Sequence, residues 1–109
     1  MDIIDVKNLN FDQLENQISE AARLMEMLSQ PARLRILCTM LGGEKSVQQL
    51  ALDAGLSQPA MSHHLKKLRD SELVLTRRSK QTIFYTLKGE KVACVLEVLH
   101  RLYCSDPIT

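Results

Sequence analysis

Between Ser46 and Leu87 the apolar residues change their spacing from helical steps of three and four to a strand-like run, and a glycine interrupts the helical part. Few small folds satisfy that order. Ser46 opens a helix with Gln49 placed for a capping box; Val47, Leu50, Ala51 and Ala54 point inward, and Gly55 ends it. Ser57-Gln58-Pro59-Ala60 then launches a second helix whose inner side is Met61, Leu65 and Leu68. From Leu73 to Arg77 and from Thr82 to Leu87 the residues are rich in β-branched and aromatic types, and the polar tip Arg78-Ser79-Lys80-Gln81 between them predicts a β-hairpin.

The flanks read as helices. After Asn10, with Gln13 three positions on, Phe11, Leu14, Ile18, Ala21, Ala22, Met25 and Leu28 predict one long buried stripe, preceded by a loose arm over residues 1–9. Ser29 is expected to cap a helix begun by Pro31, with the stripe Leu34, Leu37, Cys38 and Leu41 ended by Gly42-Gly43. A last helix over 88–104 carries Val92, Val95, Leu96, Leu99, Leu102 and Tyr103 inward, and Pro107 prevents its continuation. The expected order is ααααββα, one mainly α domain with a small β-hairpin spanning 1–109. Two Tyr, two Phe and no Trp leave the core to aliphatic residues, which suits helix-on-helix packing.

No apolar run is long enough for a membrane span, and the acidic start Met1-Asp2-Ile3-Ile4-Asp5 does not read as a secretory signal, so a cytoplasmic location is expected. Cys38, Cys94 and Cys104 are odd in number and lack CxxC spacing, which argues against a structural disulfide set and against a thiol oxidoreductase. Phosphate-loop and catalytic-triad patterns are absent as well, so neither an enzyme nor a cofactor is expected. The net charge of +1 hides a division: residues 1–30 carry two basic and six acidic side chains, whereas residues 57–91 carry eight basic and three acidic. A phosphate-binding face needs positive charge of that local kind.

Two short helices joined by a glycine turn present the second to a DNA major groove while the first braces it. At 100° per residue, His63, Lys66 and Lys67 lie opposite Met61, Leu65 and Leu68, and form the candidate reading face. Ser57 and Gln58 sit at the helix N-terminus, where free N–H groups favour a phosphate, and Ser62 lies on the flank. Lys66, Lys67 and Arg69 would equally serve to solvate an amphipathic helix. Arg77, Arg78 and Lys80 at the hairpin end add a second basic prong, placed to grip adjacent phosphate or minor groove. His64 falls on the shoulder of the apolar side and reads as a half-buried packing residue.

The run Leu56-Ser57-Gln58-Pro59-Ala60-Met61-Ser62-His63-His64-Leu65-Lys66-Lys67-Leu68-Arg69, followed by Leu73-Val74 and Phe84-Tyr85-Thr86-Leu87, resembles the ArsR-type winged helix-turn-helix repressors. The resemblance implies a homodimer joined through the first and last helices, an inverted-repeat operator in double-stranded DNA, and repression relieved by an inducer. Where that family usually has Gly before the first wing strand, this chain has Glu72. A left-handed Glu there costs on the order of 1 kcal/mol, so a differently built turn is expected.

Family members differ mainly in inducer. The third helix, Ser46 to Asp53, has neither Cys nor His for a metal. The segments around Cys38 and Cys104 instead resemble the persulfide- and redox-sensing branch, the SqrR/BigR/HlyU-like group, and that resemblance assigns these two cysteines a dithiol to di- or polysulfide switch that reactive sulfur species close to release DNA. Cys104, near Arg101 and His100, is the expected first attacker if it is accessible, and Cys94 is expected to be packing. Two alternatives stand beside this one: a zinc or other soft-metal site formed by Cys38, His100 and Cys104, and a regulator with no inducer that competes with other DNA-bound proteins.

Overall fold

The computed structural model describes residues 11–104, so the expected N-terminal arm, the Asn10 cap and the Pro107 stop lie outside the described residues. Helix α1 spans Phe11–Leu28, α2 Pro31–Thr39 with a 3-10 turn over Met40–Gly42, α3 Val47–Ala54, α4 Gln58–Asp70 and α5 Glu90–Tyr103. Three strands, β1 (Lys45–Ser46), β2 (Val74–Ser79) and β3 (Thr82–Leu87), form an antiparallel sheet in the order β1-β3-β2.

The hairpin expected from sequence is therefore two-thirds of a sheet. Two residues, Lys45 and Ser46, pair with Tyr85 and Phe84 and make β3 the central strand. So short a strand has no alternation of its own to reveal it. The hairpin tip also differs: Ser79 pairs with Thr82, so Arg78 and Ser79 belong to β2 and the turn is only Lys80-Gln81, with Lys80 at φ 57°.

The two Ser-Gln-Pro-Ala segments start their helices differently. Ser57 caps α4, its hydroxyl accepting from the Ala60 N–H at 3.3 Å. Ser29 does not cap α2; Gln30 holds that position without a side-chain bond, and the Ser29 hydroxyl donates backwards to the Glu26 carbonyl at 2.7 Å. The last turn of α1 leaves carbonyls without helical partners, and they capture the hydroxyl.

The core gathers Leu28, Ile36, Leu37, Met40, Leu50, Ala51, Ala54, Met61, Leu65, Leu68, Val74, Tyr85, Val92 and Leu96. Every expected inward residue of α4 is there, and α3 contributes Leu50, Ala51 and Ala54 with Val47 packed at the edge. The expected stripe of α2 lacks Ile36, buried on that helix, and Met40, buried in the 3-10 turn that follows it, because this segment is covered on more than one side. The α1 stripe behaves otherwise. Among its described side chains only Leu28 is buried, whereas Ile18 and Met25 are 49% and 59% exposed. At the far end of α5, Leu102 and Tyr103 are 70% and 82% exposed. On α5 the stripe expected is buried at Val92 and Leu96 and exposed only towards its end, while most of the described α1 stripe is left as outer apolar surface.

Gly55 takes the left-handed conformation (φ 67°, ψ 33°) and closes α3 with Leu56 N–H bonded to the Ala51 carbonyl at 3.0 Å. Glu72 is left-handed too, at φ 59°, so the turn before β2 keeps the conformation that glycine would favour rather than being rebuilt. Its cost is offset locally: Leu73 N–H bonds to the Leu68 carbonyl at 3.0 Å, Glu72 N–H to that of Arg69 at 2.9 Å, and Lys88 Nζ lies 3.0 Å from the Glu72 carboxylate.

Candidate nucleic-acid interface and thiol site

Burial of Met61, Leu65 and Leu68 fixes the rotation of α4, so Gln58, Ser62, His63, Lys66, Lys67 and Arg69 emerge exposed, with Ser57 at the cap. The short brace α3 packs beneath it through Ala51 and Ala54, small enough for close approach. Lys66 lies 3.6 Å from Asp70 in a solvent-exposed pair, which leaves its ammonium available to another anion. His64 is half-buried as expected; its Nδ1 is buried without a hydrogen-bond partner. Burial, then the neighbouring His63, Arg33 and Lys67, hold its imidazole below the usual histidine range.

The expected basic prong divides. Neighbouring residues of a strand point to opposite faces, and Arg77 pairs with Phe84 while Arg78 pairs with Ile83. Arg77, Arg78 and Lys80 are all exposed on the wing. Arg77 differs in donating two bonds to the Glu44 carboxylate, from Nε at 2.9 Å and a terminal nitrogen at 2.7 Å, with its guanidinium 4.7 Å from the Phe84 ring centre. That pair holds the Glu44 carboxyl below its ordinary range. Sequence reading assigned Glu44 and Phe84 no functional part, since nothing local in the chain announces a partner so distant.

The second candidate region lies where the end of α2 meets α5. Cys38 is half-buried in a cleft shared with Leu41, Gly42, Glu97, His100 and Arg101. Burial, and next the negative charge of a Cys104 thiolate, push its thiol upward. Cys104 is exposed at the end of α5, which meets the accessibility condition set for a first attacker. Cys94, expected to be packing, is exposed in the single chain, beside an open groove between α1 and α5. Among the described residues no group of three or more His, Cys, Asp or Glu is placed to hold a metal ion, so Cys38, His100 and Cys104 do not assemble as a ligand set. Among them also, no helix is long and apolar enough to cross a membrane.

Comparison with known proteins agrees with this architecture. Residues 30–76 match the family described as bacterial regulatory protein, arsR family. The transcriptional activator HlyU of Vibrio cholerae is 43% identical over 96 residues, covering 88% of this chain and 89% of that protein. Its reduced structure superposes with a TM-score of 0.81 over 85% of this chain and 98% of its own. The transcriptional repressor BigR of Xylella fastidiosa is 37% identical, with a TM-score of 0.80 over 90% of this chain and 100% of that one. A Mycobacterium bovis protein described as a homodimeric winged helix-turn-helix DNA-binding domain is 26% identical, with a TM-score of 0.73 over 87% of each chain. Brace, reading helix, wing and these likenesses agree: the chain belongs to the ArsR family of bacterial regulatory proteins, as a winged helix-turn-helix transcription regulator.

Proposed function

We propose that the protein is a homodimeric repressor that releases operator DNA when reactive sulfur species join Cys38 to Cys104. The observation that carries the thiol reading is the contrast between the two cysteines: one half-buried against α5 with its thiol pushed upward, the other exposed at the end of α5. The Cys104 thiolate takes a sulfur from a hydropersulfide, releasing the donor thiolate and leaving Cys104–S–SH. The Cys38 thiolate then attacks the inner sulfur of that group, forming the disulfide and releasing hydrosulfide; polysulfide donors extend the same chemistry. A bridge of this kind ties α2 to α5 and alters the spacing of two reading heads if α5 lies at the dimer interface.

DNA is read by His63, Lys66 and Lys67 with Ser62 and Arg69 on the flanks, while Ser57, Gln58, Arg78 and Lys80 hold phosphates of an inverted repeat. The dimer reading is supported by the uncovered apolar residues of α1 and α5 and by the homodimeric M. bovis neighbour.

Fluorescence anisotropy on a duplex selected by the reduced protein from a random-sequence library, with intact-mass analysis, tests this reading. Polysulfide is expected to lower affinity by about tenfold or more with Cys38 and Cys104 linked, and to leave the Cys38→Ser/Cys104→Ser variant bound. Undiminished binding by the bridged protein rejects the switch, whereas release by zinc alone moves sensing to a metal.

A further inference from the structure

We propose that Glu44, Phe84 and Arg77 form a clamp across the sheet that sets the angle of the wing against the α3–α4 unit, making Arg77 a positioning residue rather than a phosphate contact. The inference rests on the assignment of DNA binding to this chain and concerns how the wing is presented.

The register dictates the geometry. Ser46 pairs with Phe84 on one side of β3 and Arg77 pairs with Phe84 on the other, so all three residues share a sheet face. Glu44, two residues before Ser46, flanks the opposite edge of the sheet from β2. The Arg77 guanidinium therefore crosses the central strand over the Phe84 ring, 4.7 Å from its centre, to make two bonds of 2.9 and 2.7 Å with the carboxylate. A bidentate fork stacked on a ring is more restrictive than a simple contact of opposite charges.

What it restrains matters for reading DNA. β1 is only two residues long and is followed at once by α3, which Ser46 caps through the Gln49 N–H at 3.1 Å. The brace helix thus begins where β1 ends, and Glu44 is the residue through which a wing side chain grips that junction. Its side chain remains 56% exposed, but the two short bonds turn its donors to Glu44, so the clamp assigns phosphate contact on the wing to Arg78 and Lys80.

Glu44→Gln, Arg77→Gln and the double variant test this on a duplex selected by the wild-type protein, across a salt series. Positioning predicts that either single change weakens binding about fivefold, that the double variant is no worse than either, and that the slope of log affinity against log salt is kept. Phe84→Leu falls in the same class. A phosphate contact by Arg77 predicts a slope shallower by about 0.9 per contact in Arg77→Gln, with equal or tighter binding by Glu44→Gln, and that pattern overturns the clamp. Amide exchange on the free protein reads the same link without DNA. Faster exchange at Lys45, Ser46 and 82–87 in both single variants, with α4 unchanged, supports it, and wild-type protection overturns it. Failure to select any duplex rejects DNA binding itself while the exchange still decides the clamp.

Discussion

Charged residues of one small region take opposite parts according to what their backbone position lets them reach. Lys67 and Arg78 leave the protein toward solvent, whereas Arg77, one residue from Arg78, crosses a strand to Glu44. Adjacent histidines divide likewise: His63 is exposed on the reading face, and His64 turns its Nδ1 into a buried position without a partner. Because the folded protein holds the His64 imidazole below its unfolded range, the unfolded chain binds the proton first as pH falls. Stability contributed by neutral His64 is thus fully present above the unfolded histidine value of about 6.5 and is lost as pH drops through the depressed folded value. Urea midpoints measured from pH 7.5 down to 5 are expected to fall less for His64→Leu than for the wild type. Parallel curves would remove His64 as the cause.

Elements carry the next level of information, and their ends are more context-dependent than their interiors. Period, with the start and stop residues Ser46, Gly55 and Ser57-Gln58-Pro59-Ala60, located α3 and α4 and named the residues they bury, since a helix with one covered face must place apolar residues at steps of three and four. The repeated Ser-Gln-Pro-Ala segment shows where that logic stops, because the same four residues meet different neighbours. Ser57→Ala removes a cap and is expected to cost about 1 kcal/mol in denaturant unfolding at fixed protein concentration. Ser29→Ala is expected to cost only a few tenths, because its exposed hydroxyl bond back to Glu26 is not an N-cap. Equal losses would contradict the difference in capping. Glu72 makes the same point about turns: its side chain argued against a left-handed conformation, yet the two amide bonds after α4 impose it.

For the whole molecule, the described chain leaves Ile18 and Met25 of α1 and Leu102 and Tyr103 of α5 largely uncovered while its core closes around α2, α3 and α4. Burying them against a second copy accounts for both helices being amphipathic beyond what one chain covers. Met25→Lys/Leu102→Lys is therefore expected to shift sedimentation at micromolar concentration from dimer to monomer and to weaken duplex binding, with helix content retained by circular dichroism. An unchanged dimer would move the interface elsewhere.

By itself the sequence determined the five helices and the wing hairpin, the inner faces of α3 and α4, the basic outer face of α4, and the family to which the pattern is similar; each follows from local spacing and residue chemistry. Tertiary structure alone decided that Lys45 and Ser46 add a third strand, that Arg77 is held by Glu44 across 33 residues of chain, and that the outer stripes of α1 and α5 stay uncovered in one chain. Those outcomes depend on which distant surfaces meet, and periodicity records that a face is apolar without recording what will cover it.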